Sequence, residues 1–232
     1  MSTNLNRLGE DTPRTGELPA GAAVSVWSLD TTLDVVGGHR IDEALSILDA
    51  DEHERAGRLL RPRDRHRYLA SHVGLRVLLS GYLGLAPQEV ALVREDCPCC
   101  DGPHGRPAVK GAPVHFSLSH SDGLAYFAFA GVPVGIDVEG VPSPAAVADI
   151  LKNLHPAETA ELSALPEAER QEALARLWSR KEAYLKGTGT GIATGVVEPY
   201  VGSGPRPAPV PGWQLTDLPA PPTYAAALAV RT

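Results

Sequence analysis

The stretch GIDVEG (residues 135–140) decides the fold prediction, because it alternates like a β-strand that is buried on one face. Residues two apart in a strand share a face. We therefore expect Val134, Ile136 and Val138 to point into the core, and Asp137 and Glu139 to point together out of the other side. Two carboxylates on one strand face repel each other unless a cation or solvent relieves them. For this pair taken alone, an edge strand with a solvated face is the more frequent explanation.

A second stretch, WSRKEAYLK (178–186), ends a helix predicted over residues 167–186. Leu174, Trp178, Glu182 and Lys186 form one row at a spacing of four. The row begins apolar and becomes charged, so Glu182 and Lys186 continue the buried stripe; an exposed Glu–Lys pair is the alternative. Two of the four lysines in a chain with seventeen arginines lie in this stretch. Lysine binds phosphate as a point charge, which favours an anion site here.

Upstream, FSLSHS (116–121) predicts a strand that ends in small hydrogen-bond donors, although His120 could equally cap the strand. A basic cluster precedes it, with six arginines in thirteen residues, at positions 55, 58, 61, 63, 65 and 67. Arginines at a helix N-terminus oppose the helix dipole unless an anion joins them. The alternative is a solvated arginine face.

The order and spacing of these three motifs resemble the 4′-phosphopantetheinyl transferases, specifically the monomeric, pseudo-dimeric surfactin-type branch that serves polyketide and non-ribosomal peptide synthases. The resemblance extends from about Asp51 to Leu185. It implies an α+β fold in which two similar α+β halves pack as an intramolecular pseudo-dimer. We divide the chain into a mobile N-terminal tail (1–20), an N-terminal half with the coenzyme A-binding elements (21–132) and a C-terminal half with the metal-binding and catalytic elements (133–232).

The resemblance also implies a role for each site residue. The implied ligands of Mg²⁺ or Mn²⁺ are Asp137, Glu139 and Glu182. The implied coenzyme A contacts are Arg55, Arg67, Arg106, Ser119, His120, Lys181 and Lys186. Glu182 is the first candidate base for the acceptor proton, directly or through a metal-bound water, and Glu158 is the second. Lys186, Lys181 and His120 would stabilise the transferring phosphoryl group. The family has a lysine near position 52, where this chain has Glu52.

The implied reaction moves 4′-phosphopantetheine from coenzyme A to a serine of an apo acyl or peptidyl carrier domain of a polyketide, peptide or fatty-acid synthase, and releases adenosine 3′,5′-bisphosphate. Two alternatives remain open from the residues alone. One is a metal-dependent phosphodiesterase that uses the same carboxylates. The other is a non-catalytic coenzyme A-binding module, for which metal ligands would have no purpose.

Composition narrows the class of protein further. The chain has 232 residues, 43 % of them hydrophobic, and a net charge of −7, which argues against a nucleic-acid partner. The N-terminus has no apolar signal region, and the longest nearly apolar stretch (124–136) is too short to span a bilayer. We therefore expect a cytoplasmic monomer without a membrane partner. The clustered cysteines predict an ordinary reduced loop; the alternative is a zinc site made by Cys97, Cys99, Cys100 and His104.

Overall fold

The structure, a computed structural model, describes residues 4–11, 16–103, 105–111, 114–191 and 195–232. Its α-helices are α1 (Ala50–Arg58), α2 (Pro62–Leu83), α3 (Pro144–Ile150), α4 (Pro156–Ala164) and α5 (Glu167–Thr188). Its strands are β1 (Leu5–Arg7), β2 (Val24–Asp30), β3 (Val35–Val36), β4 (His39–Arg40), β5 (Leu92–Arg94), β6 (Pro107–Val109), β7 (His115–Ser121), β8 (Leu124–Ala130), β9 (Val134–Gly140), β10 (Trp213–Leu218) and β11 (Tyr224–Arg231). Short 3₁₀ turns cover Ile41–Ser46, Pro87–Glu89 and Leu151–Asn153.

The N-terminal half is built around the helix α2 and a four-stranded sheet in the order β1-β2-β8-β7. Proline at its first position starts α2, and Gly84 ends it in the left-handed conformation (φ 66°), which glycine adopts without steric cost. Apolar side chains on several sides of α2 are buried, and they pack with Phe127 and Phe129 of β8 in one core cluster. This core holds the N-terminal wall of the site in place.

The C-terminal half packs α5 against a three-stranded antiparallel sheet in the order β10-β11-β9. Helix and sheet approach closely because glycines face each other across the contact. A Cβ atom on Gly135 would collide with the carbonyl oxygen of Ala183 in α5, and one on Gly187 would lie 2.6 Å from the Trp213 ring. The two glycines therefore set the distance between the DVE segment of β9 and the charged end of α5.

The two sheets meet where β7 runs alongside β9, and serine side chains of β7 join them. The Ile136 N–H donates to Oγ of Ser117 (3.1 Å), and the Gly140 N–H donates to Oγ of Ser121 (3.3 Å). Between them, Ser119 donates to the carboxylate of Asp137 (2.8 Å). Consequently β9 is covered on both faces, and Asp137 is only 1 % exposed. Strand β9 does lie at the edge of its three-stranded sheet, but the face that carries Asp137 is not solvated.

The mixed α+β class and most predicted elements are confirmed. Helix α5 covers the helix predicted over 167–186, and β7 and β9 contain the two predicted strands. The prediction omitted β1, which lies inside the segment 1–20 that we expected to be a mobile tail. Strand β1 pairs in parallel with β2. Leu8, which follows β1, is buried in the N-terminal core, so this part of the segment is packed. No helix among the described residues is both long and apolar enough to cross a membrane.

Candidate active site

A cleft of about 650 Å³ lies between the two halves. Its walls come from α1, α2 and the β5–β6 hairpin on one side and from the C-terminal end of α5 on the other, and β7 contributes Phe116, Leu118 and His120. The cleft lining holds five arginine and lysine side chains against four carboxylates, a small positive excess in a protein that is acidic overall. The cationic and imidazole side chains that line it are Arg55, Arg58, Arg94, Arg106, His72, His120 and Lys186. Such a lining fits a ligand with several negative charges.

A hydrogen-bonded cluster at the cleft joins the halves through charged groups. The Lys186 ammonium donates to Oδ1 of Asp137 at 2.6 Å and to Oγ of Ser119 at 2.8 Å. The Ser119 hydroxyl in turn donates to the same Oδ1. Asp137 is therefore held in one orientation, while 31 % of the Lys186 side chain stays exposed and can reach a ligand in the cleft.

Glu139 of β9 and Glu182 of α5 complete a group of three carboxylates that interact through their charges. Burial, followed by the negative charge of Asp137, raises the pKa of Glu139 to about 7, against the opposing effect of Lys186. Burial and Asp137 also raise the pKa of Glu182, and Lys186 again opposes the shift. The three carboxylates together therefore carry more negative charge than Lys186 neutralises.

This carboxylate group has the donor chemistry of a divalent-cation site. Oδ2 of Asp137 is buried without a hydrogen-bond partner in the described structure, so one oxygen is available as a ligand. Hard cations such as Mg²⁺ prefer carboxylate oxygens, and Mg²⁺ keeps several water ligands. Within the described ranges, no three His, Cys, Asp or Glu side chains already stand in a metal-binding arrangement. The residues fit the ion, and closing around it requires the glutamate side chains to turn.

His120 sits in the cleft as a neutral imidazole in the free protein. Burial is the main cause that lowers the pKa of His120 to about 4, and the charges of His72, Lys186 and Arg55 act in the same direction. The same groups that disfavour a proton on His120 favour an anion beside it. An imidazole beside Lys186 and Arg55 is thus suited to donate a hydrogen bond to a phosphate oxygen.

Comparison with known proteins identifies the family to which the chain belongs. Residues 133–225, which contain β9 and α5, match the sequence model of the 4′-phosphopantetheinyl transferase superfamily. The chain is 33 % identical over 201 residues to 4′-phosphopantetheinyl transferase HetI of Nostoc sp., which covers 82 % of this chain and 81 % of that protein. The chain belongs to the 4′-phosphopantetheinyl transferase superfamily. It is also 26 % identical over 150 residues to the Sfp transferase of Bacillus subtilis, covering 64 % of this chain and 63 % of the relative. The protein is therefore a transferase enzyme of this family.

The transferase structure brings most predicted site residues together. Arg55, Arg106, His120 and Lys186 line the cleft, and Ser119 reaches the same place through its hydrogen bond with Lys186. Arg106 is held by Glu95 (2.6 Å) and by the carbonyl oxygen of Gly187 (2.9 Å), so it ties the β5–β6 hairpin to α5. Ser119 bridges Lys186 and Asp137, which makes it a positioning residue for that pair.

Lys181 and Glu158 do not line the cleft, and they pair with each other; the roles that the resemblance implies for them stay predictions. The Lys181 ammonium pairs with Glu158 (2.9 Å) and donates to the carbonyl oxygens of Val197 (3.1 Å) and Pro199 (2.7 Å). Both side chains are at least 99 % buried, and Glu158 also accepts from the Val201 N–H (2.8 Å). Successive helical residues point about 100° apart, so Lys181 faces α4 while Glu182 faces β9. The pair fastens residues 197–201 to α5.

Arg67 is the residue that the resemblance assigns to the coenzyme site, and that role stays a prediction. The Arg67 side chain does not line the cleft, and its guanidinium pairs with Asp122 (3.2 Å) in the turn that follows β7.

Glu52 stands at the cleft where the family has a lysine. Its carboxylate accepts hydrogen bonds from Nδ1 of His72 (2.7 Å) and from Arg76 (2.8 Å). Sequence reasoning missed His72 as a cleft residue. Its spacing of four from Arg76 on α2 was the available signal.

The cysteine loop lies beside the Arg106 turn. Cys97 is buried, whereas Cys99 and Cys100 are exposed, and none of the three forms a disulfide bond among the described residues. A hydrogen bond from the backbone of Cys99 lowers the pKa of Cys97. His104, the remaining member of the zinc alternative, lies outside the described residues, so that alternative stays a hypothesis.

Proposed function

We propose that this protein transfers 4′-phosphopantetheine from coenzyme A to a serine hydroxyl of an apo acyl or peptidyl carrier domain and releases adenosine 3′,5′-bisphosphate. One observation carries the proposal: a lysine, Lys186, joins a buried aspartate to the floor of a basic cleft in a chain of this family. The arrangement offers cations for a pyrophosphate and carboxylates for a metal in one place. This arrangement suits phosphoryl transfer, because catalysis of that reaction depends mostly on positioning and electrostatics.

Asp137, Glu139 and Glu182 are the residues that would hold Mg²⁺ or Mn²⁺. A cation there neutralises charge on the pyrophosphate as the reaction proceeds. Lys186 and His120 contact the oxygens of the transferring phosphoryl group. Both reach the cleft from rigid elements, the end of α5 and the strand β7, so their donors are preorganised.

In the reaction the serine oxygen of the carrier forms a bond to the β-phosphorus of coenzyme A. The bond from that phosphorus to the bridging oxygen breaks, and the bridging oxygen leaves on adenosine 3′,5′-bisphosphate. The serine proton passes to Glu182, the carboxylate that α5 directs toward β9 and Lys186. Arg55 and Arg106 bind the nucleotide end of the coenzyme at the other walls of the cleft.

The proposal extends to the organisation of the protein. Each half combines one sheet with one 22-residue helix, α2 or α5. We propose that the halves form an internal pseudo-dimer whose coenzyme site lies at their junction. In this proposal the enzyme acts as a cytoplasmic monomer on carrier domains of polyketide, peptide or fatty-acid synthases.

The test is to incubate the protein with coenzyme A, Mg²⁺ and an apo carrier domain and to weigh the carrier by mass spectrometry. We expect a gain of about 340 Da, the pantetheinyl phosphate increment expected for transfer of this group. Cleavage of coenzyme A without a gain in carrier mass would instead indicate a phosphodiesterase. Binding of coenzyme A without either product would indicate a non-catalytic module.

A further inference from the structure

The cysteine loop, residues 96–102, folds as a tight turn that is held by its own backbone. The Cys100 N–H donates to the carbonyl oxygen of Cys97 (3.3 Å), and the Asp101 N–H donates to the same oxygen (2.8 Å). Asp101 adopts the left-handed conformation (φ 56°), which aspartate tolerates better than most residues. The Cys97 N–H donates to the carbonyl oxygen of Gly102 (2.7 Å) and closes the loop. The positions of the three cysteines are therefore fixed by the turn.

The sulfur of Cys97 is the point on which the other two cysteines converge. It accepts hydrogen bonds from the backbone N–H groups of Cys99 and Cys100 and from their thiols. The backbone hydrogen bond from Cys99 is the main cause that lowers the pKa of the Cys97 thiol, and burial opposes it. Cys97 is 3 % exposed, whereas Cys99 and Cys100 are open to solvent. The turn thus holds a nucleophilic sulfur beneath two accessible thiols.

The spacing of Cys97 and Cys100 suits a disulfide bond. The hydrogen bond between them makes them the two ends of a β-turn, and the Cα atoms at the ends of such a turn are less than about 7 Å apart. Disulfide bonds join residues whose Cα atoms are about 4.4–6.8 Å apart. Cys99 lies inside the turn and not at its end. The geometry therefore favours pairing of Cys97 with Cys100.

We infer that Cys97 and Cys100 form a redox-active dithiol, a site at which low-molecular-weight disulfides oxidise this protein. The exposed Cys100 thiolate attacks the small disulfide, forms a mixed disulfide and releases one small thiol. The Cys97 sulfur then attacks the Cys100 sulfur, forms the intramolecular bond and releases the second small thiol. Two protein thiols are oxidised, and the small disulfide is reduced to two thiols that take up the two protons. An excess of small thiol reverses both steps.

The loop is continuous with the part of the β5–β6 hairpin that carries Arg106 into the cleft. Gly105 leaves no slack before Arg106, because a Cβ atom there would lie 2.5 Å from the carbonyl oxygen of Glu95. The Gly105 N–H donates to that oxygen (2.9 Å), and the Glu95 N–H donates to the carbonyl oxygen of Arg106 (3.0 Å). Oxidation draws two hydrogen-bonded sulfurs to a bond length of about 2.05 Å, so the turn tightens and Arg106 shifts. Oxidation should therefore weaken coenzyme A binding, and this consequence rests on the proposed function.

The experiment treats the protein with oxidised glutathione, removes the reagent, and counts free thiols by alkylation under denaturing conditions and peptide mass mapping. The chain has three cysteines, so the reduced protein should take three alkyl groups. The oxidised protein should take one, on Cys99, and dithiothreitol should restore all three. Cys97→Ser should retain glutathione on Cys100, because the second attack is lost. By calorimetry the oxidised wild type should bind coenzyme A about threefold more weakly or worse, because a charge-assisted contact is displaced.

Cys99→Ser is the matched control, because it removes the third thiol and keeps both ends of the turn. It should form the disulfide and lose affinity for coenzyme A on oxidation as the wild type does, whereas Cys100→Ser should keep its affinity after the same treatment. Three alkylated thiols after oxidised glutathione, or a bond between Cys97 and Cys99, would overturn the dithiol.

Three further outcomes separate the parts of the inference. Bound zinc that protects the thiols from oxidation would also overturn the dithiol. An oxidised protein with unchanged affinity for coenzyme A would overturn only the coupling to Arg106. A reduced protein that modifies no carrier would overturn the proposed function and leave the thiol counts, and so the dithiol, in place.

Discussion

The Lys186 ammonium lies 2.6 Å from Oδ1 of Asp137, whereas Oδ2 of the same carboxylate is buried without a partner. The pair joins the end of α5 to the middle of β9, and so it couples the cation that we propose for phosphate to the carboxylate that we propose for the metal. One oxygen is saturated by Lys186 and Ser119, and the other remains available to a cation. The two oxygens of Asp137 can therefore serve different partners, which suits a site that must hold a metal ion and a lysine a few ångströms apart.

Asp137→Asn tests the carboxylate at nearly constant volume. Asparagine can still accept from Ser119 but brings no charge to a cation, so we expect kcat to fall by about a hundredfold or more. The melting temperature should change little, because the hydrogen bonds and packing are retained. The measurement is carrier modification across a Mg²⁺ titration beside a thermal melt. Near-wild-type turnover at ordinary Mg²⁺ would contradict the metal assignment.

Lys186→Arg tests why a chain rich in arginine has lysine at this position. The larger planar guanidinium would shift the phosphate or Asp137 by about an ångström, and a misplacement of that size costs roughly a hundredfold in rate. Stability should be nearly unchanged, because 31 % of the side chain is exposed. Lys152→Arg is the control, since that exposed lysine pairs with Asp149 on the surface. Equal turnover in the two variants would mean that Lys186 is an ordinary ion-pair partner.

Periodicity predicted the parts of the site that lie on long regular elements. The four-residue row on α5 placed Glu182 and Lys186 beside Asp137, and the same helical geometry explains why Lys181 points elsewhere. The prediction that Lys181 binds phosphate came from the family resemblance, which identifies a position and not a direction. Strand alternation likewise placed Asp137 and Glu139 on one face of β9.

Other features depend on contacts between distant segments, which local pattern does not encode. The burial of Asp137 requires β7 to supply Ser119, eighteen residues away in the chain. Strand β1 has only three residues in a polar segment, and it forms because one edge of β2 is available for parallel pairing. Glu158, the second candidate base, is buried, and the Val201 N–H from the distant segment 197–201 donates to its carboxylate.

Lys181→Met tests the structural role assigned to the buried pair. Removing one partner leaves Glu158 charged and uncompensated in the interior, which typically costs about 3–5 kcal/mol. Urea unfolding should show this loss, and the double variant Lys181→Met/Glu158→Gln should recover part of it. Whatever protein remains folded should bind coenzyme A normally. A raised KM for coenzyme A at unchanged stability would restore Lys181 as a phosphate ligand.

Gly135→Ala tests the spacing between β9 and α5 that sets the Asp137–Lys186 distance. The added methyl group meets the backbone of Ala183, which cannot turn aside as a side chain would, so α5 must move. Such overpacking costs about 1–3 kcal/mol, and we expect kcat to fall more than the KM for coenzyme A, because the carboxylates and Lys186 separate. Gly57→Ala is the matched control: it lies in α1 with no atom within 4 Å of the new methyl group, and it should gain roughly 0.5–1 kcal/mol from helix propensity. If Gly135→Ala kept wild-type kcat and stability, the close contact of α5 with β9 would not determine the geometry of the site.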